Sequence, residues 1–359
     1  MTVHELREIL SNEAIHEEVS TQPVELEMEE EMLIQVLKDI VETSWGRDTI
    51  DSKTIYGWLA NFDGSVFLKE YERKLALILA IHMVFYNEND ICYLVKIAYR
   101  KLIHDIMIKE GKTIEDIIKS TIFCPLGSVS ESGPFLSYYF RKENNLSTDF
   151  FINSAINIAN SSDINNIVFL DDVSISGGQV SRYINQLKKE SIWNKLFEEK
   201  NFYALFLVST INAKRKLKEK GICLCAPILM DERSQCFKKE SAIYKIFEDN
   251  VRDIIRIQTR YMTQVYGYRL LINQYSLNGE LQRMLDAGKT VDVIKEKIKK
   301  DALGYNDSEM LIAFEYNTPN NCLPIIWVES NDWIPLFKRN DKLYTLQVVG
   351  GIKDESIYI

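Results

Sequence analysis

The pattern of hydrophobic and polar positions changes character about one third of the way along the 359-residue chain. Up to about Lys119, apolar residues recur at helical spacing. Leu33, Val36, Leu37 and Ile40 give one apolar face to a helix over Met32–Thr43, and the same period runs through Tyr71–Tyr86 and Asp90–Glu110. Trp45-Gly46-Arg47-Asp48 and Asn61-Phe62-Asp63-Gly64 interrupt it with turn-forming residues. This stretch predicts a helical bundle whose aromatic residues and Met83 form its core.

Beyond Lys119, short apolar runs alternate with amphipathic ones. Thr121–Leu126, Ile167–Leu170, Phe202–Val208 and Ile222–Leu229 predict buried strands, with a late strand over Met310–Tyr316. Pro134–Arg141, Phe150–Ala159, Val180–Lys189, Ala213–Lys220, Ser241–Tyr266 and Leu281–Asp301 predict helices. Such alternation indicates an α/β fold with a mostly parallel sheet flanked by helices. The expected division is a helical N-terminal region over 1–117 and an α/β domain over 118–359, the latter with C-terminal helical and hood-like additions.

Composition narrows the class. Hydrophobic residues make up 46% and charged residues 26%, as in a globular protein, and the formal net charge is -9. That balance gives no global drive toward nucleic acid or an anionic membrane. Lys214, Arg215, Lys216, Lys218 and Lys220 form a local basic cluster. It reads either as a solvated helix face or as a contact for nucleic acid or an acidic partner. The longest apolar stretch, Leu75–Tyr86, contains His82 and is too short to span a bilayer, and the acidic run Glu25–Glu31 is unlike a signal peptide. The six cysteines form no CxxC pair and read as buried free thiols in a reducing compartment. A cytoplasmic protein with no membrane partner is expected. His4, His16, His82 and His104 all fall in the helical half, which disfavours a Ser-His-Asp hydrolase and a zinc site. Neither a GxxxxGK[ST] nor a GxGxxG fingerprint occurs.

The densest chemistry lies in Ile167–Gln179. Four apolar residues lead into Asp171 and Asp172, followed by Val173-Ser174-Ile175-Ser176-Gly177-Gly178-Gln179 and a helix. Ligands of open α/β sheets bind where strands end and loops begin. Paired glycines allow close backbone approach, and the N–H groups and dipole of a helix start attract an anion. Ser174 and Ser176 add hydroxyl donors. Two adjacent carboxylates repel a phosphate but suit vicinal ribose hydroxyls, or a divalent cation bridging them. The order of residues therefore reads as sugar first, phosphate second.

This segment resembles the ribose-phosphate loop of type I phosphoribosyltransferases, in which a hydrophobic strand, two acids and a Ser/Thr-Gly turn stand at fixed offset. The resemblance implies that Asp171 and Asp172 hold the ribose hydroxyls and their magnesium, and that Ser174, Ser176, Gly177, Gly178 and Gln179 cradle the 5-phosphate. It also implies that Cys124–Gly133, with Ser128, Ser130, Ser132 and Gly133, occupies the place of the family's pyrophosphate loop. One departure is Ile175, where many members carry an acid or threonine near the nucleobase. An isoleucine transfers no proton, which speaks against ordinary base salvage. A late segment, Phe314–Pro324, sets Glu315 and asparagine amides among aromatic residues. It reads as a ligand cover or as a structural turn. With Thr318–Asn321 (TPNN) and Ser132–Pro134 (SGP), the chain is similar to a divergent phosphoribosyltransferase-like family associated with prokaryotic conflict systems, including retron anti-phage modules.

Two functions follow from this resemblance. One is an enzyme that transfers a ribosyl-phosphate group from, or cleaves, a phosphoribosyl compound or nucleotide, with Asp171, Asp172 and Glu315 as its carboxylates. The other is a non-catalytic module that senses a nucleotide and signals to a defence-system protein or nucleic-acid partner. An interaction protein with a vestigial pocket is a further possibility.

Overall fold

A computed structural model describes residues 1–12, 19, 22–47, 49–126, 132–151, 158–159, 161 and 163–339. In chain order the elements are α1 (Val3–Asn12), α2 (Glu30–Ile40, extended by a π turn over Val41–Trp45), α3 (Ser52–Ala60), α4 (Lys69–Ile81), β1 (Val84–Tyr86), α5 (Glu88–Glu110) and α6 (Ile114–Lys119). Next come β2 (Thr121–Pro125), α7 (Ser132–Glu143), β3 (Asn166–Ser174), α8 (Gly178–Leu187), α9 (Ser191–Glu199), β4 (Asn201–Thr210) and α10 (Ile211–Lys218). The chain closes with β5 (Ile222–Cys225), β6 (Ile228–Met230), α11 (Asp249–Leu277), α12 (Glu280–Asp286), α13 (Val291–Asp301), β7 (Ile312–Phe314) and α14 (Pro324–Trp327). The predicted helix over Phe150–Ala159 falls largely on residues 152–157, outside the described residues. Among the described residues, no helix is long and apolar enough to cross a membrane.

The compact units do not follow chain order. One holds Met1–Asn87 with Glu232–Asn340, and the other holds Glu88–Asp231. The units part at 87/88 and 231/232, and within the second one α5 packs on β4 and on α7.

The Glu88–Asp231 unit carries the main sheet. Its strands run β2-β3-β4-β5, every pair is parallel, and β6 also pairs with β4. On one face, Phe140 of α7 meets Phe123 at 5.1 Å and Tyr99 of α5 at 5.7 Å. On the other, Val180, Ile184, Trp193, Leu196, Ala213 and Leu217 of α8, α9 and α10 pack on Ile167, Phe169, Phe202, Ala204 and Phe206. Burial on both faces explains why Ile167–Leu170 and Phe202–Val208 are unbroken apolar runs rather than alternating ones.

Two strand predictions change. The strand placed over Ile167–Leu170 continues to Ser174, because β3 keeps pairing with β4 through Asp171↔Phe206 and Ser174↔Ser209. Charged residues pair their backbones as well as apolar ones do. The single strand over Ile222–Leu229 is two, β5 and β6, separated at Ala226-Pro227, where proline offers no N–H to the ladder.

The Met1–Asn87/Glu232–Asn340 unit is helical around α11. Its two-stranded sheet pairs β1 with β7 in parallel, Val84↔Ile312 to Tyr86↔Phe314. The helix expected over Tyr71–Tyr86 thus ends at Ile81, and its last residues form β1. The helix over Leu281–Asp301 is divided into α12 and α13 by Gly288 at φ +69 and by Thr290, whose side chain caps α13 through the Val293 N–H. A fully buried Glu72 carboxylate organises the turn before α4. It accepts the N–H groups of Gly64 (2.8 Å), Val66 (2.7 Å) and Phe67 (2.8 Å) and the Tyr266 O–H (2.7 Å). Glu72→Ala removes the acceptor of three backbone N–H groups, that of Phe67 buried and those of Gly64 and Val66 half-buried. It should cost about 3 kcal/mol or more in chemical denaturation, and a loss under about 1 kcal/mol would contradict this role.

Candidate functional site

The strands are parallel, so β2, β3 and β4 end at one edge of the sheet, where ligands of open α/β sheets bind. Asp171 and Asp172 are the sixth and seventh of the nine residues of β3, toward its carboxyl end, and only 4% and 3% exposed. As neighbours in a strand their side chains leave on opposite faces. The Ser132 hydroxyl, at the start of α7, donates to Asp171 Oδ1 at 2.6 Å, and the Asp172 N–H donates to the same oxygen at 3.0 Å. Gly133 presses on the strand ends, so a Cβ there would lie 2.2 Å from the Leu126 carbonyl oxygen and 3.0 Å from that of Leu170. The Leu126 N–H donates to that Leu170 carbonyl at 2.8 Å, which closes β2 onto β3. The structure thus joins Ser132 and Gly133 to the acid pair, whereas Ser128 and Ser130 lie outside the described residues.

The loop after β3 is held from β4. The Ser209 hydroxyl donates to the Ser174 carbonyl at 2.8 Å, and the Thr210 hydroxyl donates to the carbonyl of buried Ile175. Thr210 also caps α10 by accepting the Ala213 N–H at 3.0 Å. Gly177 adopts φ +64 and ψ 3, with the Ala213 backbone 3.4 Å from where a Cβ would sit. Left-handed backbone and close approach both select glycine there. Ser176 Oγ accepts the Gly178 N–H at 3.2 Å, so a side-chain oxygen occupies the first anion-binding donor of α8. Ser174 is buried, Ser176 and Gly178 are half-buried, and Gln179 is exposed. The site therefore runs from a buried carboxylate end to an open helix terminus.

Sequence reasoning did not place Lys216 of α10 and Arg182 of α8 here. Their cationic nitrogens lie 3.9 Å and 4.0 Å from the Cβ position of Gly178. The available signal was topological: a helix leaving β4 begins on the edge where α8 begins. Glu315 belongs to the other unit, exposed on the turn after β7. Thr318–Asn321 is built into that unit by its backbone. The Asn320 and Asn321 carbonyls accept the Tyr305 N–H and the Ser308 hydroxyl, each at 2.9 Å. Trp327 and Trp333 are core residues of the same unit.

The cysteines fit their expected state in part. Burial pushes the thiol of Cys124, beside the site on β2, up to about 12, which leaves it a poor nucleophile at neutral pH. Cys223 is exposed and Cys92 half-buried, unlike the other four.

A parallel sheet covered by helices on both faces defines an α/β protein of phosphoribosyltransferase-like fold. The chain belongs to the PRTase-CE family, whose model matches residues 55–339. No curated protein and no solved structure matches it.

Gly133→Ala forces the β2 and β3 ends apart and should cost roughly 2 kcal/mol or more. Gly178→Ala, at a negative φ and against the movable Ser176 side chain, should fold with near wild-type stability. Equal thermal stability of the two variants would contradict this packing.

Proposed function

We propose that this protein binds a ribose-phosphate or nucleotide ligand at Asp171-Asp172 and Ser174–Gln179, with magnesium, and acts in the cytoplasm as an effector of prokaryotic anti-phage defence. The observation carrying the binding reading is the buried acid pair at the carboxyl end of β3, running directly into a glycine-started helix. Carboxylates at the buried end suit sugar hydroxyls, and amide donors at the open end suit a phosphate. The defence role rests on the resemblance in the Thr318–Asn321 and Ser132–Pro134 segments.

The donor set fits magnesium of a particular kind. Among the described residues, no three His, Cys, Asp or Glu side chains come together as a metal cage. Magnesium at phosphoribosyl sites needs no such cage, since one or two carboxylates suffice and ligand oxygens and water complete the shell. Asp171, oriented by Ser132, would hold it, while Asp172, leaving β3 on the opposite face, would reach it only through the ligand's oxygens or water. When bound, the ion would supply positive charge against the ligand's oxygens. Ser132 fixes the orientation of Asp171 through its 2.6 Å bond. In an enzyme, the buried carboxylates would stabilise positive charge developing on the ribose as its glycosidic bond breaks.

A non-catalytic sensor is the second reading, favoured by Ile175. This residue is buried, and its carbonyl is engaged by Thr210, so it offers no proton-transfer group at the position where base chemistry is expected. Mass spectrometry of ribose 5-phosphate donors and nucleotides after incubation separates the readings, because an enzyme consumes them and a sensor returns them unchanged.

Calorimetry with ribose 5-phosphate and magnesium tests the site. Asp171→Asn with Asp172→Asn should weaken binding on the order of a hundredfold, and Ser132→Ala about tenfold, with the circular dichroism of the fold retained. Unchanged affinity in the folded double variant would remove the acid pair from the site.

A further inference from the structure

The phosphate end of the candidate site carries more positive charge than a helix terminus needs to hold one phosphate. Backbone N–H groups and the helix dipole bind a phosphate without any cationic side chain. Here three groups from three segments surround one point at the head of α8. From the Cβ position of Gly178, Ser176 Oγ of the loop lies at 3.1 Å, Lys216 Nζ of α10 at 3.9 Å and Arg182 Nη1 of α8 at 4.0 Å. Lys216 has no ion pair or hydrogen bond among the described residues. A second observation points to the same place. Ser181, 6% exposed, keeps a buried hydroxyl oxygen with no hydrogen-bond partner. Ser181 stands three residues after Gly178 in α8, on the same side of the helix and within its first turn and a half.

Burial shows which way the ligand extends. Asp171 and Asp172 are enclosed, whereas Gln179, Arg182 and Lys216 are exposed. A phosphate at the head of α8 therefore sits at the mouth, its outer oxygens turned toward solvent between two cations. Building on the ribose-phosphate reading of the same site, we infer that Lys216, with Arg182, binds a second phosphoryl group on the 5′ side of the ligand, so that the site prefers a nucleoside 5′-diphosphate to a 5′-monophosphate. The inner phosphate takes the α8 amides and the serine hydroxyls, and the outer one takes the cations.

Calorimetry of the full chain with ribose 5-phosphate, AMP and ADP, at fixed free magnesium, tests this. The wild type should bind ADP about tenfold more tightly than AMP, the scale of one well-placed charge pair. Lys216→Ala should remove most of that preference and Lys216→Glu all of it, because each weakens ADP binding more than AMP binding. Lys218→Ala, an exposed lysine on the same helix, should leave the preference intact and so exclude a diffuse charge effect. Equal binding of AMP and ADP by the wild type, or a preference that survives both Lys216 substitutions, overturns this inference alone. Failure of ribose 5-phosphate, AMP and ADP alike overturns it together with the reading beneath it.

Discussion

The parallel pairing of β3 with β4 is the constraint on which the site depends. The pair stays in register from Asn166↔Asn201 to Ser174↔Ser209, so two acidic residues are carried inside a strand buried on both faces. The same register sets Ser209 and Thr210 beside the loop after β3, where their hydroxyls hold the carbonyls of Ser174 and Ile175. It also starts α10 next to α8, which brings Lys216 to Gly178. A slip of one residue would turn the acid pair to the wrong faces and detach the loop from its supports.

Burying two carboxylates is costly unless hydrogen bonds or cations compensate. Asp171 accepts the Ser132 hydroxyl from the start of α7 and the N–H of its neighbour Asp172. The anion end is treated oppositely. Ser176 caps the Gly178 N–H while lysine and arginine stand exposed nearby. Enclosed negative charge and open positive charge, one loop apart, give the site a direction that a sugar-phosphate matches.

Features that are local in the chain were legible from sequence. The acid pair, the Gly177-Gly178 offset and the helix after it lie within ten residues, and each has its own conformational signature. Buried parallel strands announced themselves as unbroken apolar runs. Features set by distant pairing were not legible. Strand β3 reaches Ser174 because β4 lies beside it, and no property of Asp171 or Asp172 signals that. Lys216 reads as one of five cations on a polar helix until the sheet places its neighbour. Gly133 looks like a turn glycine, yet the Leu126 and Leu170 carbonyls require it. The late asparagine segment read as a ligand cover or as a structural turn, and what the sequence did not show is that its Asn320 and Asn321 carbonyls bond to Tyr305 and Ser308.

The account stands on where a sugar-phosphate binds and which way it points. A crystal structure of the protein with ribose 5-phosphate and magnesium tests this most directly. The account predicts the ribose hydroxyls at Asp171 and Asp172 and the phosphate at the Ser176–Gln179 amides. A ligand bound elsewhere, or bound with its phosphate toward the acid pair, would contradict it.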